Sequence, residues 1–157
     1  MDAIRAYREA DLDAVAAIHG ASFPRQLHSR DWIAANARSH PKTRVYVAER
    51  AGQVVGFVMW SEKSGFRAQA VVELAQIAVA AEHRRQGIAE ALIRRSLAEV
   101  EKELTARSAT LKAVFVSTRS DNGAQKLYRK ALGAEVVATI SSLYSGDEVL
   151  MVARKVR

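Results

Sequence analysis

The chain of 157 residues contains no cysteine, which excludes disulfides, thiolate catalysis and cysteine-bound metal together. Four histidines, His19, His28, His40 and His83, are scattered without ligand spacing, so no metal site is expected. Only two prolines occur, Pro24 and Pro41, and both fall where helical pattern is absent or ending. No stretch approaches the roughly 20 apolar residues that a bilayer-crossing helix needs. The start MDAIRAYREADLDAV carries early acids and lacks the apolar core of a signal peptide. A cytoplasmic protein with no membrane partner is expected. Aromatic residues make up only 6% and the basic residues are dispersed, so no stacking platform for nucleic acid is visible.

What the chain does have is positive charge and an ordinary apolar content. Lysine and arginine total 24 against 17 acids, a net charge of +7 that favours an anionic partner. With 49% hydrophobic residues, residues 1–157 are expected to form one domain with its own core.

Apolar periodicity and turn signals divide the chain into elements. Ile4 to Tyr7 reads as a strand, and Asp11 stands where a helix N-cap belongs, ahead of Leu12, Val15, Ala16 and His19 on one face. A second helix is expected from Ser29 to Ser39, with Trp32 packing inward. Arg44 to Glu49 and Gln53 to Trp60 read as a hairpin about Ala51-Gly52. A strand follows from Val71 to Val79, then a helix from Gly87 to Ala106 whose Ile93, Leu97, Val100 and Leu104 form a core stripe. Thr110 to Ser117 is the next strand, Asp121 to Gly133 a helix ending on a C-cap glycine, and Glu135 to Ser142 with Glu148 to Val156 a closing hairpin. The order β-α-α-β-β-β-α-β-α-β-β predicts a mixed α/β fold, a central sheet with helices on both faces.

The most informative stretch, Val79 to Ile93, reads VAAEHRRQGIAEALI. An apolar strand runs through a short basic turn directly into a helix. A helix start offers unpartnered N–H groups and the positive end of the macrodipole, so such a turn can cradle a phosphate. Arg84 and Arg85 add charge, Gly87 permits close backbone approach and Ala89 keeps the next position small. A tight turn with solvated arginines is the alternative explanation of the same residues.

Two motifs carry a family resemblance. Arg84-Arg85-Gln86-Gly87-Ile88-Ala89, preceded by Ile77-Ala78-Val79, resembles the acetyl-CoA signature Gln/Arg-x-x-Gly-x-Gly/Ala of the GNAT superfamily of N-acetyltransferases. Downstream, DNGAQKLYRKALGA resembles the family's Asn-x-x-Ala-x-x-Leu/Phe-Tyr helix. The resemblance spans nearly the whole chain. It implies an acyl-CoA N-acyltransferase fold of about seven strands, with two parallel strands, Val71–Val79 and Thr110–Ser117, splayed around the cofactor.

The resemblance also implies roles. Acetyl-CoA is the expected cosubstrate and a primary amine the acceptor, with a homodimer as a further expectation. Ile77, Ala78 and Val79 are expected at pantetheine, and Arg84 to Ala89 (Arg84, Arg85, Gln86, Gly87, Ile88, Ala89) at the diphosphate. Arg84, Lys126 or Arg129 is expected at the 3′-phosphate. Counted back from Tyr128, the family's asparagine falls on Asp121, with Asn122 one residue later, and either is open as a cofactor contact. Tyr128 matches the general acid, though an aromatic on that helix can equally be packing. The backbone N–H of Ile77 is the expected oxyanion donor, and Glu73 the expected base, with strand alternation placing Glu73, Ala75 and Ile77 on one face. Glu62 and His83 are fallback bases. Phe23-Pro24 and the tail around Tyr144 are similar to ribosomal-protein N-terminal-alanine acetyltransferases, but that group's catalytic glutamate is replaced here by Val116. The acceptor site is expected among the segments Phe23–Ser39, Ser61–Ala68 and Leu143–Gly146. An acyl-CoA sensor of the same fold, without chemistry, is the alternative function.

Overall fold

The period-2 and period-3.6 stretches of the sequence settle into seven strands and four α-helices in the computed structural model, which describes residues 3–155. In chain order they are β1 (Ala3–Ala6), α1 (Leu12–Ser22), α2 (Ser29–Arg38), β2 (Thr43–Arg50), β3 (Gln53–Glu62), β4 (Gln69–Val79), α3 (Ile88–Ala106), β5 (Thr110–Arg119), α4 (Ala124–Leu132), β6 (Glu135–Ile140) and β7 (Glu148–Arg154). Short 3₁₀ turns at Glu9–Asp11 and Ala81–His83 precede α1 and α3. The end of the last predicted strand, Val156, lies outside the described residues.

The strands form one sheet in the order β1-β2-β3-β4-β5-β7-β6, and only the central β4–β5 pair is parallel. Two apolar cores lie on its two faces. Leu92, Ile93, Leu97, Val100 and Leu104 of α3 pack with Trp60, Val72, Leu74 and Val114. On the other face Val15, Ile18 and Ile33 of α1 and α2 pack with Val45, Val47, Phe57 and Met59. Burying each such side chain contributes about 1.5–3 kcal/mol, so both helix layers are held by their sheet-facing stripes.

Two local expectations are corrected. Asp11 does not cap α1: it accepts the Arg8 amide at 2.7 Å and pairs with the Arg5 guanidinium at 2.8 and 2.9 Å, closing the 3₁₀ turn instead. Trp32 does not pack inward either. It is 47% exposed, because Ile33 takes the core position of α2 and turns its neighbour toward the cavity.

Candidate active site

The site begins with a fault in the ladder. In the β3–β4 pairing Met59 faces Gln76 and Trp60 faces Leu74, so Ala75 is an extra residue, a β-bulge. The parallel β4–β5 pairing starts at Gln69–Thr110 and ends at Glu73–Phe115. Past that point β4 keeps only β3 and β5 keeps only β7, and a gap opens between them. The ladder fixes which backbone groups face the gap. The Ala80 amide donates to the Val55 carbonyl at 2.8 Å, so two-residue alternation turns the N–H and C=O of Ile77 and Val79 away from β3 and into the gap.

The bulge also overturns the expected alternation on β4. Val72 and Leu74 join the core under α3, Ala75 and Ala78 join the core under α1 and α2, and Ile77 packs back against the α3 side. Glu73 and Ala75 therefore share the α1/α2 face, while Ile77 points to the opposite one. One inserted residue moves every later side chain across the sheet.

Beyond the gap lies the phosphate turn. Gly87 at φ 79° is the N-cap residue of α3 and provides no capping side chain, so the N–H groups of the first turn remain available. Arg85 holds a left-handed φ of 61°, a conformation that costs a branched or long side chain energy and that clusters at ligand clamps. Its guanidinium has no hydrogen-bond or ion-pair partner among the described residues. A cavity of about 1610 Å³ runs from this turn, through the gap, to the α1–α2 loop.

The predicted residues distribute along it as follows. Ile77, Ala78, Val79, Arg84, Arg85, Gly87, Ile88, Ala89, Asn122, Tyr128 and Glu73 all line the cavity. Gln86 is not among its lining residues, and its side-chain oxygen is taken by Arg50. Arg84 folds back, donating from Nε to the Val79 carbonyl at 2.9 Å, so it braces the turn. Of the proposed 3′-phosphate contacts, Lys126 and Arg129 lie off the cavity, whereas Lys130, one position further on α4, lines it and reaches Glu90 at 3.1 Å. Asn122 rather than Asp121 borders the cavity; its side-chain oxygen accepts the Ala124 amide at 2.8 Å and starts α4, while Asp121 pairs with Arg119 at 3.1 Å.

Tyr128 is 6% exposed on α4, and burial pushes its phenol up to about 12. The hydroxyl has no hydrogen-bond partner among the described residues. Glu73 lies 3.3 Å from the Lys63 ammonium. Of the fallback bases, Glu62 is excluded by its surroundings, since Arg44 at 3.1 Å and Arg107 both pair with its buried carboxylate. His83 lies beside the phosphate turn with Nδ1 3.5 Å from Arg50.

The acceptor side is held by a chain of hydrogen bonds that sequence did not reveal. Trp32 Nε1 donates to Gln76 Oε1 at 2.8 Å, and Gln76 Nε2 donates to Gln26 Oε1 at 2.8 Å. Gln26 Oε1 also accepts from His19 Nε2 at 2.9 Å, leaving Nδ1 to accept the Ser29 hydroxyl at 2.8 Å. Burial lowers the pKa of His19, which suits this neutral tautomer. The residues lie far apart in sequence, so no local pattern announces them.

A bulged strand, a splayed parallel pair, backbone groups facing the gap and an open helix start at its end define a class of protein built to receive an anion-bearing ligand along a strand edge. Residues 6–134 match the acetyltransferase (GNAT) family model, and the chain belongs to that family. It is an N-acetyltransferase with acetyl-CoA as cosubstrate. Among solved structures it is similar to Ard1 from Thermoplasma volcanium, with 23% identity over 99% of both chains and a TM-score of 0.80. It is also similar to the ribosomal-protein-S18-alanine N-acetyltransferase from Escherichia coli, with 21% identity over 98% of this chain and 94% of that one, and a TM-score of 0.75. NAA60 of Arabidopsis thaliana, solved in complex with acetyl-CoA, shares 20% identity over 98% of each chain at a TM-score of 0.77. At these identities the likeness is one of fold. No curated protein matches the chain.

Proposed function

We propose that residues 1–157 act as a single domain that moves acetyl directly from the thioester to a primary amine, a small molecule or a peptide N-terminus, within a ternary complex. The observation that carries this reading is the continuity of one cavity from the phosphate turn, past Ile77 and Tyr128, to the α1–α2 loop. Both reactants fit in it at once, and the amine attacks without a covalent protein intermediate. Acetyl-CoA supplies the activated acetyl group.

The chain's own groups divide the remaining work. Amides of the α3 start, with Arg85 and Lys130, meet the phosphates. The Ile77 N–H, turned into the gap, stabilises the oxyanion. Tyr128 is the general acid; burial keeps its phenol protonated at neutral pH, the form that can donate to a departing thiolate. Proton removal from the amine falls to a carboxylate that lines the cavity on the α1/α2 face. Exposed Leu27, Trp32 and Tyr144 border the acceptor mouth and extend it past the reach of a lone amine, which favours a peptide. Thiol release from acetyl-CoA against a library of free N-terminal peptides and a panel of small amines tests the reading. Tight CoA binding by calorimetry with no turnover of either set makes the protein an acyl-CoA sensor.

A further inference from the structure

Glu148 opens β7 and is only 6% exposed, yet its carboxylate has no hydrogen-bond or ion-pair partner among the described residues. It lines the same cavity as Tyr128, Ile77 and Glu73. No buried side-chain oxygen or nitrogen lacks a partner among the described residues, so the Glu148 oxygens open on the cavity, where a carboxylate without a protein partner is placed to meet a ligand. Its direction is set by the strand. Val149, Met151 and Ala153 enter the core under α3, so Glu148 points to the α1/α2 face, the acceptor side.

We propose that Glu148 is the carboxylate that docks the acceptor's ammonium and takes its proton, a role that rests on the acetyl-transfer reading above. Glu73 is poorly suited to it, because the Lys63 ammonium at 3.3 Å already matches its charge. Around Glu148 the compensation is partial. Its register partner Arg119 on β5 shares its charge with Asp121 at 3.1 and 3.2 Å, Arg25 of the α1–α2 loop ends on the Ser145 hydroxyl at 2.8 Å, and the β6 neighbour Ile140 is apolar. Burial accordingly raises its pKa above the ordinary carboxylate value, with Arg119 opposing, and a stronger base accepts an ammonium proton more readily.

The step balances. One proton passes from the ammonium nitrogen to a Glu148 oxygen and on to water, and the freed lone pair forms the C–N bond. As the C–S bond breaks, sulfur takes the Tyr128 proton; the nitrogen loses its second proton to water and Tyr128 regains one. The products are the amide, the thiol and one proton.

Two small nucleophiles separate this role from a structural one. Thiol release from acetyl-CoA is followed against pH with ethylamine, which is protonated at neutral pH, and with hydroxylamine, which is not. The expected result is that Glu148→Gln lowers kcat/KM for ethylamine by roughly 100-fold or more at neutral pH and moves the acid limb of its pH profile up toward the ionisation of the ammonium itself. With hydroxylamine the loss is smaller by about tenfold or more, and Glu148→Asp recovers part of the ethylamine rate. The Gln variant melts no lower than the native chain, since the charge it removes is held by no hydrogen bond or ion pair in the fold. Equal losses with both nucleophiles, or an acid limb that stays in place in Glu148→Gln and moves up in Glu73→Gln, overturn the proposal. A native chain that binds CoA but releases thiol with neither nucleophile and with no member of the peptide library overturns the acetyl-transfer reading, and this assignment with it.

Discussion

Tyr128 shows how one environment sets both the strength and the limit of a side chain. Its buried phenol, raised to about 12, holds its proton throughout the physiological range. Tyr128→Phe keeps the packing on α4 and removes only the hydroxyl, so thiol release is expected to fall by about 100-fold or more while the melting temperature holds. The sign for pH follows from the raised value. Loss of the acid form should not depress kcat until the pH nears 12, so a profile that falls at pH 9 through this group assigns the acid elsewhere. Gly87 is a residue of the opposite kind, used for its backbone. At φ 79° with nothing near a built Cβ, Gly87→Ala meets no clash and costs only the left-handed conformation, about 1 kcal/mol. The expected drop in melting temperature is about 2–4 °C, with a larger proportional loss in CoA affinity by calorimetry, because the α3 amides must stay aimed at the phosphates.

At the scale of elements the decisive object is the bulge in β4. Ala75 is the extra residue, and without it Leu74 and Gln76 still alternate onto their proper faces. Deleting Ala75 should therefore leave a folded sheet while drawing β4 and β5 back into register. Circular dichroism is expected to change little and CoA affinity to fall about tenfold or more, the cost of losing roughly 1.4 kcal/mol; an unchanged affinity excludes the splay as the binding device. This element also marks the border of what periodicity could tell. Helix and strand order, the hairpin at Ala51-Gly52 with both residues at positive φ, and the C-cap at Gly133 were all legible from local pattern. The shared face of Glu73 and Ile77 was not, because alternation assumes an unbroken ladder and the bulge depends on the strand across from it.

The whole molecule is tied together by a buried ionic cluster. Arg44 on β2 reaches Glu62 on β3 at 3.1 Å and Glu103 on α3, and Arg107, beyond α3, closes on Glu62 while its guanidinium covers the Phe66 ring at 4.8 Å. Burial alone would raise the Glu62 pKa, but the hydrogen bonds from Arg107 and Arg44 outweigh it and hold it below 4.5. The Asp11 pKa is held below 3.8, first by its hydrogen bonds from Arg5. Depressed carboxylates stabilise the fold fully above their unfolded values and lose that contribution as the pH falls through the lower folded ones. Thermal melts should thus weaken below about pH 4.5. Glu62→Gln, which strands Arg107 and leaves Arg44 only Glu103, should cost about 3–5 kcal/mol at pH 7 and flatten that acid loss; a melt as steep in acid as the native one shows that Glu62 does not cause it.

The sequence by itself determined the elements, their order and the two motifs that resemble the family's acetyl-CoA signature, because each depends on neighbours within a few residues. The turn at Gly87 and the helix bearing Tyr128 are of that local kind. Tertiary structure alone decided which side chains line the far end of the cavity. Trp32, Gln76, Gln26 and His19 meet from three segments, and Lys130 borders the cavity where Lys126 and Arg129 do not. Glu148 stands in the tail that resembles the ribosomal-protein group, but nothing in that pattern marks it as a base. It becomes a candidate base only because β7 lies beside the splayed β5 and leaves its carboxylate open on the cavity with no hydrogen-bond or ion-pair partner among the described residues.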